Sequence, residues 1–438
     1  MRVESLEFRE VYKLKVRRYI LVFCLLSFSV AVLQAKPITF KGAWIATVAN
    51  IDWPSPEAVG NTEAQQAEMV WLLDSLQSLG INTIIFQVRP TADALYYSEL
   101  EPISHWLTGK QGKWERPTPT LPEGKEISSQ IPWDPLEWTI EEAHERNMQV
   151  HVWLNPYRVN LARTDTSMLA PNHIMRRQPE WFWCYAKQWY FDPGLDITRE
   201  WICTVVQDIV QRYAIEAIHM DDYFYPYPVG RQQLPDAETF AKYPRGFDNI
   251  ADWRRNNVNL AIQDIRATIK ECKPEVDFGI SPFGVWRNAS VDSTGSATTA
   301  GLTNYDDLYA DIRLWIREGW IDYVLPQLYW EIGKPAADYE TLAHWWANEV
   351  RDTNCRLYIG MAPYKLEEAN AKAKANAWNT GNEIVRQMHL NRTIPEITGE
   401  CFYSTRPLLR NPRGVCDSIR AFYSLPEDPK DTLLIPWE

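Results

Sequence analysis

Eight short apolar segments, each followed by a helical pattern, constrain this 438-residue chain more than any other feature. They lie at 42–48, 82–88, 148–155, 216–222, 277–283, 321–329, 356–362 and 399–404. Each is rich in β-branched or aromatic residues, the pattern of a strand covered on both faces. Between them, Met69, Leu72, Leu73, Leu76 and Leu79 keep helical spacing before Gly80. Ile202, Val205, Val206, Ile209, Val210 and Tyr213 do so after Thr198, a predicted N-cap. Leu260, Ile262, Ile265 and Ile269 form another stripe, and Leu308, Ile312, Trp315 and Ile316 one more before Gly319. Eight β/α repeats predict an α/β chain folded as a (β/α)8 TIM-type barrel, with a doubly wound sheet as the second choice.

The links differ by direction. Helix-to-strand links are short, as at Gly80-Ile81, Arg146-Asn147 and Glu318-Gly319-Trp320. Strand-to-helix links are long, at about 89–135, 156–196, 223–249 and 284–304. In a barrel all the long links emerge on the C-terminal face, where active sites sit. Composition sharpens the point, because 21 Trp is more than a core needs. Burying an indole requires a partner for its N–H. Trp106, Trp114, Trp133, Trp181, Trp183, Trp189 and Trp286 fall in the long links. They predict an aromatic wall over a groove for flat, partly apolar ligands such as sugar rings; loops packed on one another are the structural alternative.

Lys13, Lys15, Arg17 and Arg18 precede an apolar stretch at 19–33, and Leu33-Gln34-Ala35 offers a small residue for cleavage. This predicts an export signal over 1–35, a barrel over 36–425 and a tail over 426–438. An uncleaved anchor is the alternative, and Cys24 lacks the context of a lipid-modified cysteine. The whole chain carries −12; six Lys/Arg against three Asp/Glu in residues 1–35 leave −15 for the rest. That balance argues against nucleic acid or an anionic membrane as partner. No CxxC, Gly-rich phosphate loop or GxSxG elbow occurs, so no cofactor is expected and an esterase is disfavoured.

Polar residues at strand ends are the candidates for chemistry. The sharpest run is His219-Met220-Asp221-Asp222-Tyr223-Phe224-Tyr225-Pro226, two carboxylates among aromatics. An aromatic pocket desolvates a carboxyl and raises its pKa, as a general acid at neutral pH requires. Solvated strand-end acids are the bland alternative. Period two places Asp221 on the face of His219 and Asp222 opposite, so only one points into the mouth unless the strand has already ended. Asp222 is the main acid/base candidate, with Asp221 as its partner. Gln327, Tyr329 and Glu331 share a parity, and Glu331 is a candidate second carboxylate or an ordinary loop residue. His151 and His219 with Asp221 could hold a metal, but no HxH or HExxH spacing supports it, so no metal site is assigned.

Several runs resemble one family. Lys41 to Pro54 (KGAWIATVANIDWP), Phe86 to Ala94 (FQVRPTADA), Trp153 to Arg158 (WLNPYR), Asp192-Pro193-Gly194 and the His219 to Pro226 stretch are similar to signatures of the glycosyl-hydrolase-like 10 family, once domain of unknown function 187. The resemblance covers roughly 39–364. It implies a (β/α)8 glycosidase of the bacterial envelope acting on N-acetylhexosamine glycans, foremost peptidoglycan strands stripped of stem peptides. On a glycosidase reading, the sugar-binding candidates are Trp44, Arg89, Asp93, Asn155, Tyr157, Asp192, His219, Tyr225, Trp286, Gln327 and Tyr329. Tyr329 and Tyr225-Pro226 are similar to elements of chitinase-type barrels, but Phe224 stands where their acid would be, which would move the acid to Asp222. The substrate's own N-acetyl group would then assist. A glycosidase for another polysaccharide, a non-catalytic carbohydrate-binding barrel and a metal-dependent deacetylase are the competing readings.

Overall fold

A computed structural model of the chain describes residues 38–112, 114, 133–160, 166–368 and 377–424. Its strands are β1 Phe40–Ile45, β2 Thr83–Arg89, β3 Gln149–Leu154, β4 Phe182–Tyr185, β5 Gln188–Phe191, β6 Ala217–Met220, β7 Asp277–Ile280, β8 Tyr323–Val324, β9 Arg356–Met361 and β10 Ile397–Phe402. The main helices are α1 Thr62–Ser78, α2 Pro135–Glu145, α3 Asp196–Arg212, α4 Ile250–Cys272, α5 Ile312–Arg317, α6 Tyr339–Val350, α7 Asn382–Thr393 and α8 Val415–Tyr423. Eight strands close into a parallel barrel in the order β1-β10-β9-β8-β7-β6-β3-β2, which is the (β/α)8 fold expected. Closure is direct: Gly42 pairs with Cys401 on one side and with Thr83 on the other. The predicted export signal, its cleavage site and the whole of the predicted tail lie outside the described residues, as does much of the link after β2.

Local signals explain the elements. Asn61, Asp134, Asn249 and Asp338 each accept a backbone N–H at a helix start, satisfying donors that the first turn leaves free. Gly80 and Gly319 take positive φ after α1 and α5, where a Cβ would strain the turn. Thr198 is a correction: α3 starts two residues earlier, at Asp196. The Thr198 hydroxyl instead donates to the Asp192 carbonyl at 2.6 Å, tying the helix to the loop before it.

The hydrophobic core divides in two. One layer lies between the strands' outer faces and the helices. The other fills the barrel with Phe40, Trp44, Ala46, Ile85, Trp153, Ala217, Tyr323, Leu325, Tyr358 and Cys401. Aromatic rings fit this narrow space because glycine faces them; a Cβ on Gly279 would come within 1.8 Å of the Tyr323 ring. The Tyr323 hydroxyl lies 2.9 Å from Nδ1 of His151 and 2.9 Å from Nδ1 of His219. Burial drives the His151 pKa down to about 3 and that of His219 well below its ordinary value, so both rings are neutral.

The long link after β3 contains a hairpin that strand patterning does not announce. Antiparallel β4 and β5 meet at Ala186 and Lys187, both at positive φ. Arg158 bridges to Tyr190, so the chain leaving β3 runs along the hairpin's edge.

Candidate active site

At the C-terminal mouth, a cleft of about 360 Å³ is lined by Trp44, Val48, Ala49, Ile51, Trp153, Arg158, Asp221, Asp222, Tyr223, Ser281, Gln327, Tyr329 and Tyr403. Both acids reach it because β6 ends at Met220. Beyond that residue the strict alternation of a strand no longer applies, and neighbouring side chains can turn the same way.

The two carboxyls are 6 % and 4 % exposed, yet they are held differently. Asp221 accepts from Asn155 Nδ2 at 2.6 Å, Trp153 Nε1 at 3.2 Å and the Tyr223 backbone N–H at 2.9 Å. Asp222 accepts from the Tyr227 hydroxyl. Burial raises both carboxyls. For Asp221 the nearby Arg158 charge and three donors oppose burial. Asp222 is raised further, to about 7, by burial and then by the negative charge of Asp221. Like charges this close do not ionise together, so the pair holds one proton near neutrality. That proton sits on Asp222 and the charge on Asp221, where the donors are.

The walls are aromatic. Tyr329 stacks on Tyr403 with centroids 5.9 Å apart, and Tyr364 stands edge-on to both. The Arg158 guanidinium lies over Tyr223, 4.8 Å from its centroid. Gln327 donates to the Ser281 carbonyl at 2.9 Å, holding its amide beside Asp222.

Of the expected residues, Trp44, Asp221, Asp222, Gln327 and Tyr329 meet in this cleft. Asn155 supports Asp221 from behind, and its own Oδ1 accepts from Gln87 at 2.8 Å. His219 lies beneath the floor, where Trp44 Nε1 donates to its Nε2 at 3.4 Å and Ser281 stands 2.9 Å away. The rest are placed elsewhere. Arg89 is locked to Glu101 by two hydrogen bonds of 2.6 and 2.7 Å. Asp93 is buried against Thr91, His105 and Gln111. Asp192 caps a turn by accepting from Gly194 N at 2.8 Å, Tyr225 meets Asn257, and Tyr157 is buried in the core. Trp286 donates to Asp311 at 3.2 Å and stacks on Trp345, away from the lining. Glu331 accepts from Trp378 at 3.0 Å and pairs with Lys334 at 3.2 Å, so it does not join the two acids.

The loop tryptophans do not form the wall. Trp133 packs edge-on to Trp53 and Trp138, Trp114 to Tyr97, and Trp183 on Tyr190. They pack inside their own links, or against α2 and the segment after β1, while the indoles at the cleft, Trp44 and Trp153, come from β1 and β3.

The family profile of glycosyl hydrolase-like 10 matches residues 39–379. The chain belongs to the glycosyl hydrolase-like 10 family. It is 45 % identical over 388 residues to "Glycosyl hydrolase YngK" of Bacillus subtilis, covering 88 % of this chain and 72 % of that one. It is 39 % identical over 388 residues to "Glycosyl hydrolase DigH" of Escherichia coli K12, covering 85 % and 84 %. Two solved structures share the fold at low identity. The PgaB (BpsB) glycoside hydrolase domain from Bordetella bronchiseptica aligns with TM-score 0.53 at 10 % identity over 89 % of this chain and 99 % of that one. The catalytic domain of beta-amylase from Paenibacillus polymyxa aligns with 0.54 at 10 % over 90 % and 100 %.

Within this glycosyl-hydrolase-like barrel, sequence reasoning missed Trp153, Arg158, Tyr223, Ser281 and Tyr403 as lining residues. Trp153, Arg158 and Tyr223 lie within runs already singled out, and Ser281 lies within the apolar segment 277–283, so the signal was present. Which way each side chain turns depends on where its strand stops. The two histidines and Asp221 do not converge, and among the described residues no cluster of three or more His, Cys, Asp or Glu is arranged to hold a metal.

Proposed function

We propose that this protein is a glycoside hydrolase acting on an N-acetylhexosamine-containing glycan, foremost peptidoglycan strands stripped of their stem peptides. The observation that carries the reading is the buried Asp221–Asp222 pair, sharing one proton at the floor of an aromatic cleft. A carboxyl that keeps its proton near pH 7 can protonate a glycosidic oxygen, and an ionised neighbour can steady the positive charge that develops at the anomeric carbon.

Asp222 donates its proton to the leaving oxygen. The substrate's acetamido oxygen attacks the anomeric carbon from the other side, with Asp221 accepting the amide N–H and Tyr329 facing the carbonyl. Water then opens the resulting ring and returns a proton to Asp222. Tyr403, Tyr329 and Trp44 supply flat apolar surface for sugar rings. The basic and apolar N-terminal segment supports action outside the cytoplasm, in the periplasm or cell envelope.

The test is release of new reducing ends from purified stripped strands, with products identified by mass spectrometry. Asp222→Asn should lower kcat by at least a hundredfold while strand binding survives. Full activity in that variant would overturn the assignment.

A further inference from the structure

Among the described residues lining the cleft, Arg158 is the one cation. It is 7 % exposed, in a chain whose net charge is −12. A buried guanidinium is ordinarily paired, because burying an unpaired charge is costly. Arg89, Arg254 and Arg313 follow that rule, with carboxylates 2.6, 2.6 and 2.7 Å away. Arg158 departs from it. Among the described residues no carboxylate lies within ion-pair distance of it, and its Nε is buried without a hydrogen-bond partner. Its position is nevertheless fixed. The backbone bridges to Tyr190 on the β4–β5 hairpin, Val159 N donates to the Trp189 carbonyl at 2.9 Å, and the guanidinium plane rests over Tyr223. A rigid fork of donors, left open at the wall of a sugar-sized cleft, is suited to a planar anion.

We propose that Arg158 forms a carboxylate-reading subsite beside the acid pair, so that the enzyme cleaves glycans carrying a free carboxylate on a sugar near the scissile bond and discriminates against the same glycans with that carboxylate capped. The proposal rests on the glycosidase reading for its kinetic form, while its binding form stands without it. Peptidoglycan strands supply the chemistry: the lactyl ether of their muramic acid is an anion when free and a neutral amide when a stem peptide is attached. Tyr223 backs the guanidinium, and Asp221 is near enough to feel its charge yet outside ion-pair range. The fork is therefore available to a third party.

The experiment compares three probes: stripped strands, the same strands with lactyl carboxylates converted to methyl amides, and neutral N-acetylglucosamine oligosaccharides. The wild-type enzyme should prefer free strands over capped strands by roughly ten- to a hundredfold in kcat/KM, the range expected of charge-assisted hydrogen bonds. Arg158→Gln should erase that preference, mainly through KM, while Arg158→Lys should keep part of it. If Arg158 merely tuned Asp221, both substrates would lose kcat together and the preference would persist, overturning the subsite. Equal cleavage of free and capped strands by the wild type would overturn it too. Calorimetric binding in an Asp222→Asn background separates the two readings. Tighter binding of free than capped strands, lost on adding Arg158→Gln, supports the subsite even if no strand is ever cleaved. Equal binding in both backgrounds refutes it. Melting temperatures of the Gln and Lys variants identify any that fail to fold, and the capped-strand comparison on the wild type needs no variant at all.

Discussion

Replacing Asp222 by Asn should stabilise the fold by an amount that grows as the pH rises from about 4 to about 7. The carboxyl titrates at about 7 in the folded chain, against 3.8 for an unhindered aspartate. Between those values the native state holds a proton that the unfolded chain has already released. Stability therefore falls as pH rises from about 4, and the full cost is present above about 7. A displacement of about three units corresponds to about 4 kcal/mol. Asn fills the same space and its carbonyl oxygen can still accept from Tyr227, but it never carries a charge beside Asp221. At pH 4, where Asp222 keeps its proton in the folded chain, variant and wild type should melt together. By pH 8 the variant should gain on the order of 4 kcal/mol. Unfolding entropy for a chain this long is about 0.9 kcal/mol/K, so that gain is a melting temperature about 4 °C higher. Calorimetric scans at pH 4, 6 and 8 and constant ionic strength measure it. An offset that does not change with pH, or a variant that melts lower at pH 8, would show that Asp222 carries no burial cost and would remove the basis for its proton.

Tyr227 donates to Asp222 and favours its ionised form. Tyr227→Phe should raise that carboxyl further and move the alkaline limb of the pH–kcat/KM profile upward; a limb that stays put or moves down contradicts this. Arg89 and Glu101 are buried together, at 1 % and 0 % side-chain exposure. Glu101→Gln leaves the guanidinium buried beside a neutral group and should cost about 3–5 kcal/mol in denaturant unfolding. A loss below about 1 kcal/mol would mean that the pair is not what holds the link after β2.

The barrel was legible because eight apolar segments and the amphipathic stripes between them carry different periods. The β4–β5 hairpin was not legible. Its turn is Ala186-Lys187 at positive φ, where two-residue hairpins ordinarily advertise themselves with Asn or Gly. The flanking aromatic runs, 182–185 and 188–191, were the remaining signal. The acid pair stood out because aromatics and a strand end surround it. Arg158 did not, because nothing in its neighbours says that its guanidinium lacks a carboxylate; that is a fact of tertiary packing. The loop tryptophans misled for a similar reason. An indole buried in a loop–loop contact and one lining a groove have the same sequence context, and only the partners tell them apart.

The contacts around Tyr323 have a direction. Trp44 Nε1 can only donate, so Nε2 of His219 accepts and its proton must be on Nδ1. That Nδ1 donates to the Tyr323 hydroxyl, which in turn donates to Nδ1 of His151 and leaves the His151 proton on Nε2. The plug under the cleft is thus a one-way relay from indole to imidazole to phenol to imidazole, with each proton assigned. None of its members changes charge over the range in which the two aspartates exchange theirs. The floor stays polar and electrically silent, and the response of the cleft to pH is written by the carboxyls above it.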